Sequence, residues 1–100
     1  MNISIICVGK LKEKYWQDAV MEYSKRLAPY CKLKIVELKE TKLPLNAGTA
    51  ETEAVRISEG KEILSRLGEN NFTITLEING HRLASEEFAE KLETLGISGW

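Results

Sequence analysis

The apolar positions of this chain fall in two rhythms, and the switches between them map its elements. Near the start, Ile3, Ile5, Ile6, Cys7 and Val8 form a run rich in β-branched residues that stops at Gly9. Side chains branched at Cβ are stiff about their first torsion and favour extended backbone. Such a run, bounded by a turn signal, predicts a strand buried on both faces. A basic turn follows, Lys10-Leu11-Lys12-Glu13-Lys14, and the rhythm then changes. Trp16, Ala19, Val20, Tyr23 and Leu27 recur at helical spacing. That spacing predicts a helix from about 11 to 27 with this stripe facing the core. Trp16 and Tyr23 also invite a base-stacking reading, but their periodicity favours the core. Tyr15 falls off the stripe and is the better surface candidate. Pro29 ends the helix, because proline lacks a donor and biases its predecessor away from helix.

The alternation resumes in Leu33-Lys34-Ile35-Val36-Glu37-Leu38, a second strand with one face wetter than in the first. Residues 39–48 are polar, with Pro44, Asn46 and Gly48 as turn formers, and predict a mobile loop. A second helix is expected from about 50 to 67, with Thr49 as N-cap and Glu51 and Glu53 complementing the helix dipole. Ile57, Gly60, Leu64 and Leu67 make its inner stripe, with Ile63 at the edge. A glycine on that face implies close packing of the helix backbone against the sheet. Gly68 is its natural C-terminal cap. Phe72-Thr73-Ile74-Thr75-Leu76-Glu77-Ile78 predicts a third strand, closed by Asn79-Gly80 and a polar turn through His81 and Arg82. Ser85 caps a third helix whose apolar face is Phe88, Ala89, Leu92 and Leu95, and Gly96 stops it.

The order βαβαβα implies a three-layer α/β sandwich, with helices covering a mainly parallel sheet joined by right-handed crossovers. Ligands of such sheets bind beyond the carboxyl ends of the strands. Two turns therefore come forward, 9–11 after strand one and 77–82 after strand three. No repeat, linker or low-complexity tract divides the 100 residues, so a single α/β domain is expected.

Charge changes the picture in one place. The formal net charge is −1 and argues for no polyanionic partner by itself. Yet between positions 10 and 34 seven basic residues face only Glu13, Asp18 and Glu22. Cys7 and Cys31 lie far apart, and there is one histidine, so no metal-ligand spacing is present. The N-terminal run is short, has no basic leader and is followed by lysines, which argues against an export signal and for reduced cytosolic thiols. No stretch is apolar enough to span a bilayer.

Elementary chemistry is sparse. Gly9-Lys10 at a strand-to-helix turn could hold an anion but lacks the glycines of a phosphate loop. His81 beside Arg82 could work as an acid–base or RNA-contacting pair, although nothing adjacent fixes its tautomer. Glu77 sits where a strand opens toward a ligand. On these residues alone Leu76 reads as a core leucine.

Longer motifs say more. Ile5-Ile6-Cys7-Val8-Gly9-Lys10-Leu11-Lys12-Glu13-Lys14-Tyr15-Trp16 and Glu22-Tyr23-Ser24-Lys25-Arg26-Leu27-Ala28-Pro29-Tyr30 resemble the ribosomal RNA large subunit methyltransferase H family. So do Glu59-Gly60-Lys61-Glu62-Ile63-Leu64, Leu76-Glu77-Ile78-Asn79-Gly80 and Ser85-Glu86-Glu87-Phe88-Ala89. The matches are collinear over essentially the whole chain. The resemblance implies a SPOUT, or α/β-knot, methyltransferase: a cytoplasmic homodimer, with no metal and no membrane partner. Its members transfer a methyl group from S-adenosylmethionine to N3 of a pseudouridine in 23S rRNA of the assembled ribosome. Members of the family are longer, and the later strands, the knotted C-terminal helix and most of the cofactor pocket lie beyond the matched part. The resemblance thus implies the N-terminal portion of such a domain, inactive alone, with no catalytic residue among its 100 positions. Of the cofactor-contacting positions it implies only Leu76, whose side chain and backbone would line the adenosyl pocket. Trp100 as the last residue points the same way, because a terminal tryptophan wants burial. The alternative is a non-catalytic RNA- or partner-binding module that uses the basic turn at 10–14. A flavodoxin-like ligand domain is a third reading, disfavoured by the missing phosphate loop.

Overall fold

The computed structural model describes residues 1–69 and 71–97. Five elements follow in order: β1 (Asn2–Val8), α1 (Lys14–Leu27), β2 (Lys32–Leu38), α2 (Thr49–Arg66) and α3 (Ser85–Ile97). Residues up to Leu67 form one compact unit and those from Gly68 a second. The chain is α/β, as its patterning implies. The expectation placed on Trp100 lies outside the described residues.

In the first unit β1 and β2 pair in parallel, with Asn2 opposite Lys32 and Val8 opposite Leu38. The link is helical, as a parallel pair requires. α1 packs on β2 and α2 on β1. Helix α1 begins three residues later than expected because Glu13 is still extended, at φ −84° and ψ 128°. The Gln17 side-chain amide donates to the Leu11 carbonyl at 2.7 Å and holds the basic turn against the helix start. The other end behaves as Pro29 dictates, with α1 stopping at Leu27.

Burial departs from the patterning. Leu38, 4% exposed, is the one buried apolar side chain among the described residues. The α1 stripe is wet: Trp16 is 55% exposed and Tyr23 63%, and Val20 and Leu27 are exposed as well. Strand β1 is not covered on both faces either, since Ile5 is exposed. Periodicity identifies the side of a helix or strand that gains from being covered, but covering it takes a surface, and the described residues supply little. In α2 the half-buried positions are Val55, Glu59, Gly60, Ile63 and Leu67, while Ile57 and Leu64 face solvent. Two apolar stripes overlap on this helix, and packing on β1 selects the one containing Ile63.

Several local expectations are corrected. Gly48, not Thr49, is the N-cap of α2, and no side chain caps it. The Thr52 hydroxyl instead donates back to the Gly48 carbonyl at 3.0 Å. An extended Leu67, not Gly68, occupies the C-cap. Gly60 is not pressed on the sheet: a methyl group placed there would meet nothing within 4 Å.

In the second unit residues 72–78 join no sheet among the described residues. Their β-branched and aromatic composition suits a strand, but a strand exists only through a partner's ladder. The expected third strand is therefore absent there, and Ile74, Leu76 and Ile78 are exposed. Helix α3 starts at Ser85 rather than after it, and the Glu87 carboxylate accepts the Ala84 backbone N–H at 3.1 Å. Gly96 does not stop α3, which runs to Ile97. Leu92 and Leu95 are half-buried, while Phe88 and Ala89 are exposed.

Candidate functional site

At the carboxyl edge of the β1–β2 pair, the Gly9 N–H donates to the Leu38 carbonyl at 2.7 Å, extending the ladder by one bond. Gly9 then turns away at φ +90°, a conformation that favours glycine. A Cβ on Gly9 would lie 3.5 Å from the Glu40 carboxylate, so the 9–14 turn and the start of the 39–48 loop touch. The loop is anchored: the Glu59 carboxylate of α2 accepts the Thr41 N–H at 3.1 Å. Within the loop, Ala47 N–H donates to the Pro44 carbonyl at 3.1 Å. Parallel register thus sets the segment with Lys10, Lys12 and Lys14 and the segment with Lys39 and Lys42 at the same end of the strand pair, all five lysines exposed. Helix dipoles favour acidic residues in a first turn, yet α1 has none there and begins with Lys14.

The sequence singles out 10–14 at this edge but not Lys39, Lys42, Glu40 or Glu59. The signal was present in the parallel register, which puts whatever follows β2 beside whatever follows β1.

In the second unit, Thr75, Leu76, Glu77, Ile78, Gly80 and His81 line an open depression of about 370 Å³. The Gly80 N–H donates to the Glu77 carbonyl at 3.1 Å and closes the turn. A methyl group on Gly80 would come within 3.3 Å of that same carbonyl, a tight contact that the turn would have to relieve by a few tenths of an ångström. Leu76 is 92% exposed, which excludes the plain core reading within this chain. Leu76, Glu77 and His81 are brought together; Arg82 is not among the lining residues. An apolar side chain over a backbone turn with a carboxylate and an imidazole beside it can receive one face of a flat heterocycle and hydrogen-bond its edge.

Cys7 and Cys31 are free thiols, and among the described residues no three His, Cys, Asp or Glu side chains gather as metal ligands. No described helix is long and apolar enough to cross a membrane.

Comparison with known proteins adds what geometry does not. The family described as "Predicted SPOUT methyltransferase" matches residues 1–100. The ribosomal RNA large subunit methyltransferase H of Clostridium beijerinckii is 52% identical over 99 residues, covering 99% of this chain and 62% of that protein. The proteins of the same name from Clostridium novyi and Clostridium kluyveri are 52% and 46% identical over the same shares of each chain. The chain spans 62% of the length of these curated relatives.

Proposed function

The chain belongs to the SPOUT methyltransferase family, and from that premise we propose that it is the N-terminal part of an enzyme that methylates large-subunit ribosomal RNA. The carrying observation is the collinear match, at 52% identity over 99 residues, to proteins named for that activity. In this reading the acceptor is N3 of a pseudouridine in 23S rRNA of the assembled ribosome, and the working form is a cytoplasmic homodimer.

The methyl donor is S-adenosylmethionine, which when bound supplies an electrophilic methyl group on a sulfonium. Leu76 is the residue of this chain that meets it. The fit is that of one wall of a pocket: an apolar side chain projecting from a turn, beside a depression with polar groups at its rim. Leu76 would cover one face of the adenosyl group and exclude water there. The Glu77–Gly80 turn would hold Leu76 in place, since its closing hydrogen bond fixes the backbone that follows. Such a site acts by orientation, which can lower a barrier greatly without covalent chemistry. One wall does not enclose a donor, and the 100-residue polypeptide alone is therefore proposed to be inactive.

The test is incorporation of labelled methyl groups into ribosomes. The protein isolated from its own cells should label large-subunit rRNA at a single pseudouridine, and the 100-residue polypeptide should not. Absence of label with the native protein would remove the methyltransferase reading; label from the 100-residue polypeptide would remove the claim that it is inactive alone.

A further inference from the structure

The edge built by the 9–14 turn and the 39–48 loop concentrates positive charge in a chain whose net charge is −1. Lys10, Lys12, Lys14, Lys39 and Lys42 are exposed there, against Glu13, Glu40 and Glu59. None of the five forms an ion pair among the described residues; the pairs found are Arg26–Glu22, Arg56–Glu53 and Arg66–Glu62, each within one helix. The lysines are not on loose tethers. Gln17 holds the Leu11 carbonyl, Glu59 holds the Thr41 N–H, and the Gly9–Leu38 bond joins the two segments. Lys14 sits in the first turn of α1, where the dipole repels it. That local cost is offset when an anion arrives. Tyr15, next along the chain, is 64% exposed, with its ring 5.4 Å from that of Trp16.

We propose that these five lysines form one phosphate-binding rim that takes the backbone of the substrate RNA, with Tyr15 beside it as a stacking surface. The proposal rests on the reading of the protein as an rRNA methyltransferase. Lysines act on phosphates as point charges and fix register rather than sequence, while exposed aromatic rings receive unstacked bases. The rim joins two segments thirty residues apart and is made by the parallel pairing of β1 with β2.

The experiment uses the protein isolated at its native length, a pseudouridine-containing stem-loop of large-subunit rRNA as binding probe, and whole ribosomes for methyl transfer. The variant Lys12→Glu/Lys42→Glu takes one lysine from each segment. Lys61→Glu, on an exposed position of α2, is the control. Neutral Lys12→Gln/Lys42→Gln separates removal of positive charge from added repulsion, and circular dichroism checks the fold. The charge-reversed variant should bind the stem-loop at least about tenfold more weakly at 0.1 M salt. Its salt dependence should be shallower by about 0.7–0.9 for each phosphate that the protein no longer neutralises. Its KM for ribosomes should rise while its affinity for S-adenosylmethionine stays unchanged, and Lys61→Glu should match the wild type. Wild-type affinity and salt slope in a variant that still methylates ribosomes would overturn the rim and leave the methyltransferase reading standing. A wild-type protein that neither binds the stem-loop nor methylates ribosomes would overturn both. Tight binding of poly-glutamate with no binding of RNA would overturn the rim as an RNA site and reassign it to an acidic protein partner.

Discussion

Glu59, in the middle of α2, accepts the backbone N–H of Thr41 at 3.1 Å and so ties the loop after β2 to the helix that follows it. The bond spans eighteen positions and is exposed, although Glu59 itself is half-buried. Glu59→Ala should release the loop while leaving the helices intact. A single hydrogen bond of this kind contributes about 1 kcal/mol net, equivalent to roughly fivefold faster amide exchange at Thr41. Glu59→Gln keeps an acceptor oxygen and should restore most of the protection. Unchanged Thr41 exchange in Glu59→Ala would show that the loop is held by other contacts.

Two glycines should respond to alanine with opposite signs. Gly9→Ala forces a side chain into positive φ, where the Glu40 carboxylate offers ordinary contact and no collision. Its cost is conformational, about 1–2 kcal/mol. Gly60→Ala meets open space inside a helix and should stabilise by about 0.5–1 kcal/mol. Denaturant midpoints of the 100-residue polypeptide measure both, and a destabilising Gly60→Ala would place an additional surface against α2.

Leu76→Asp should leave the fold unaltered, because the side chain is already exposed. On the proposed methyltransferase reading, it should weaken S-adenosylmethionine binding by the protein at its native length more than about tenfold, since a carboxylate facing an apolar ring is left poorly solvated. Calorimetric titration reads the affinity, and an unchanged value removes Leu76 from the cofactor site.

Trp16→Ala and Tyr23→Ala should each cost about 0.5 kcal/mol or less in the 100-residue polypeptide, the range of surface substitutions. Truncating a buried aromatic costs about 3–5 kcal/mol. A loss of that size at either position would mean that the α1 stripe is covered in solution.

Much of the fold was legible because its signals are local. The β-branched run before Gly9, Pro29 after α1, and the periodicity of α2 and α3 each name an element without reference to the rest of the chain. Thr49 and Gly68 misled because a cap is a choice between adjacent residues, decided by backbone angles that composition does not encode. Residues 72–78 have the side chains of a strand, but pairing is a property of two segments. The stripe of Trp16, Val20, Tyr23 and Leu27 was legible as apolar, while its cover was not, since periodicity marks a face and leaves open what meets it. The basic turn was visible, whereas Lys39 and Lys42 joined it only through the register of β1 with β2. Leu76 came forward through family resemblance alone.

Parallel pairing of β1 with β2 also sets how the first unit assembles in time. Every residue of β1 waits for a partner thirty positions later, from Asn2 with Lys32 to Val8 with Leu38. Pairings of wide sequence separation slow folding, and a helix wound between the two strands shortens the search. The 14 residues of α1 wind to about 21 Å, close to the roughly 23 Å of a 7-residue strand. Winding α1 therefore carries the chain back to where β2 must begin and turns a long search into a short docking step. A helix-weakening change at an exposed position of α1 is therefore expected to slow folding more than it hastens unfolding, which the two limbs of a chevron plot would read.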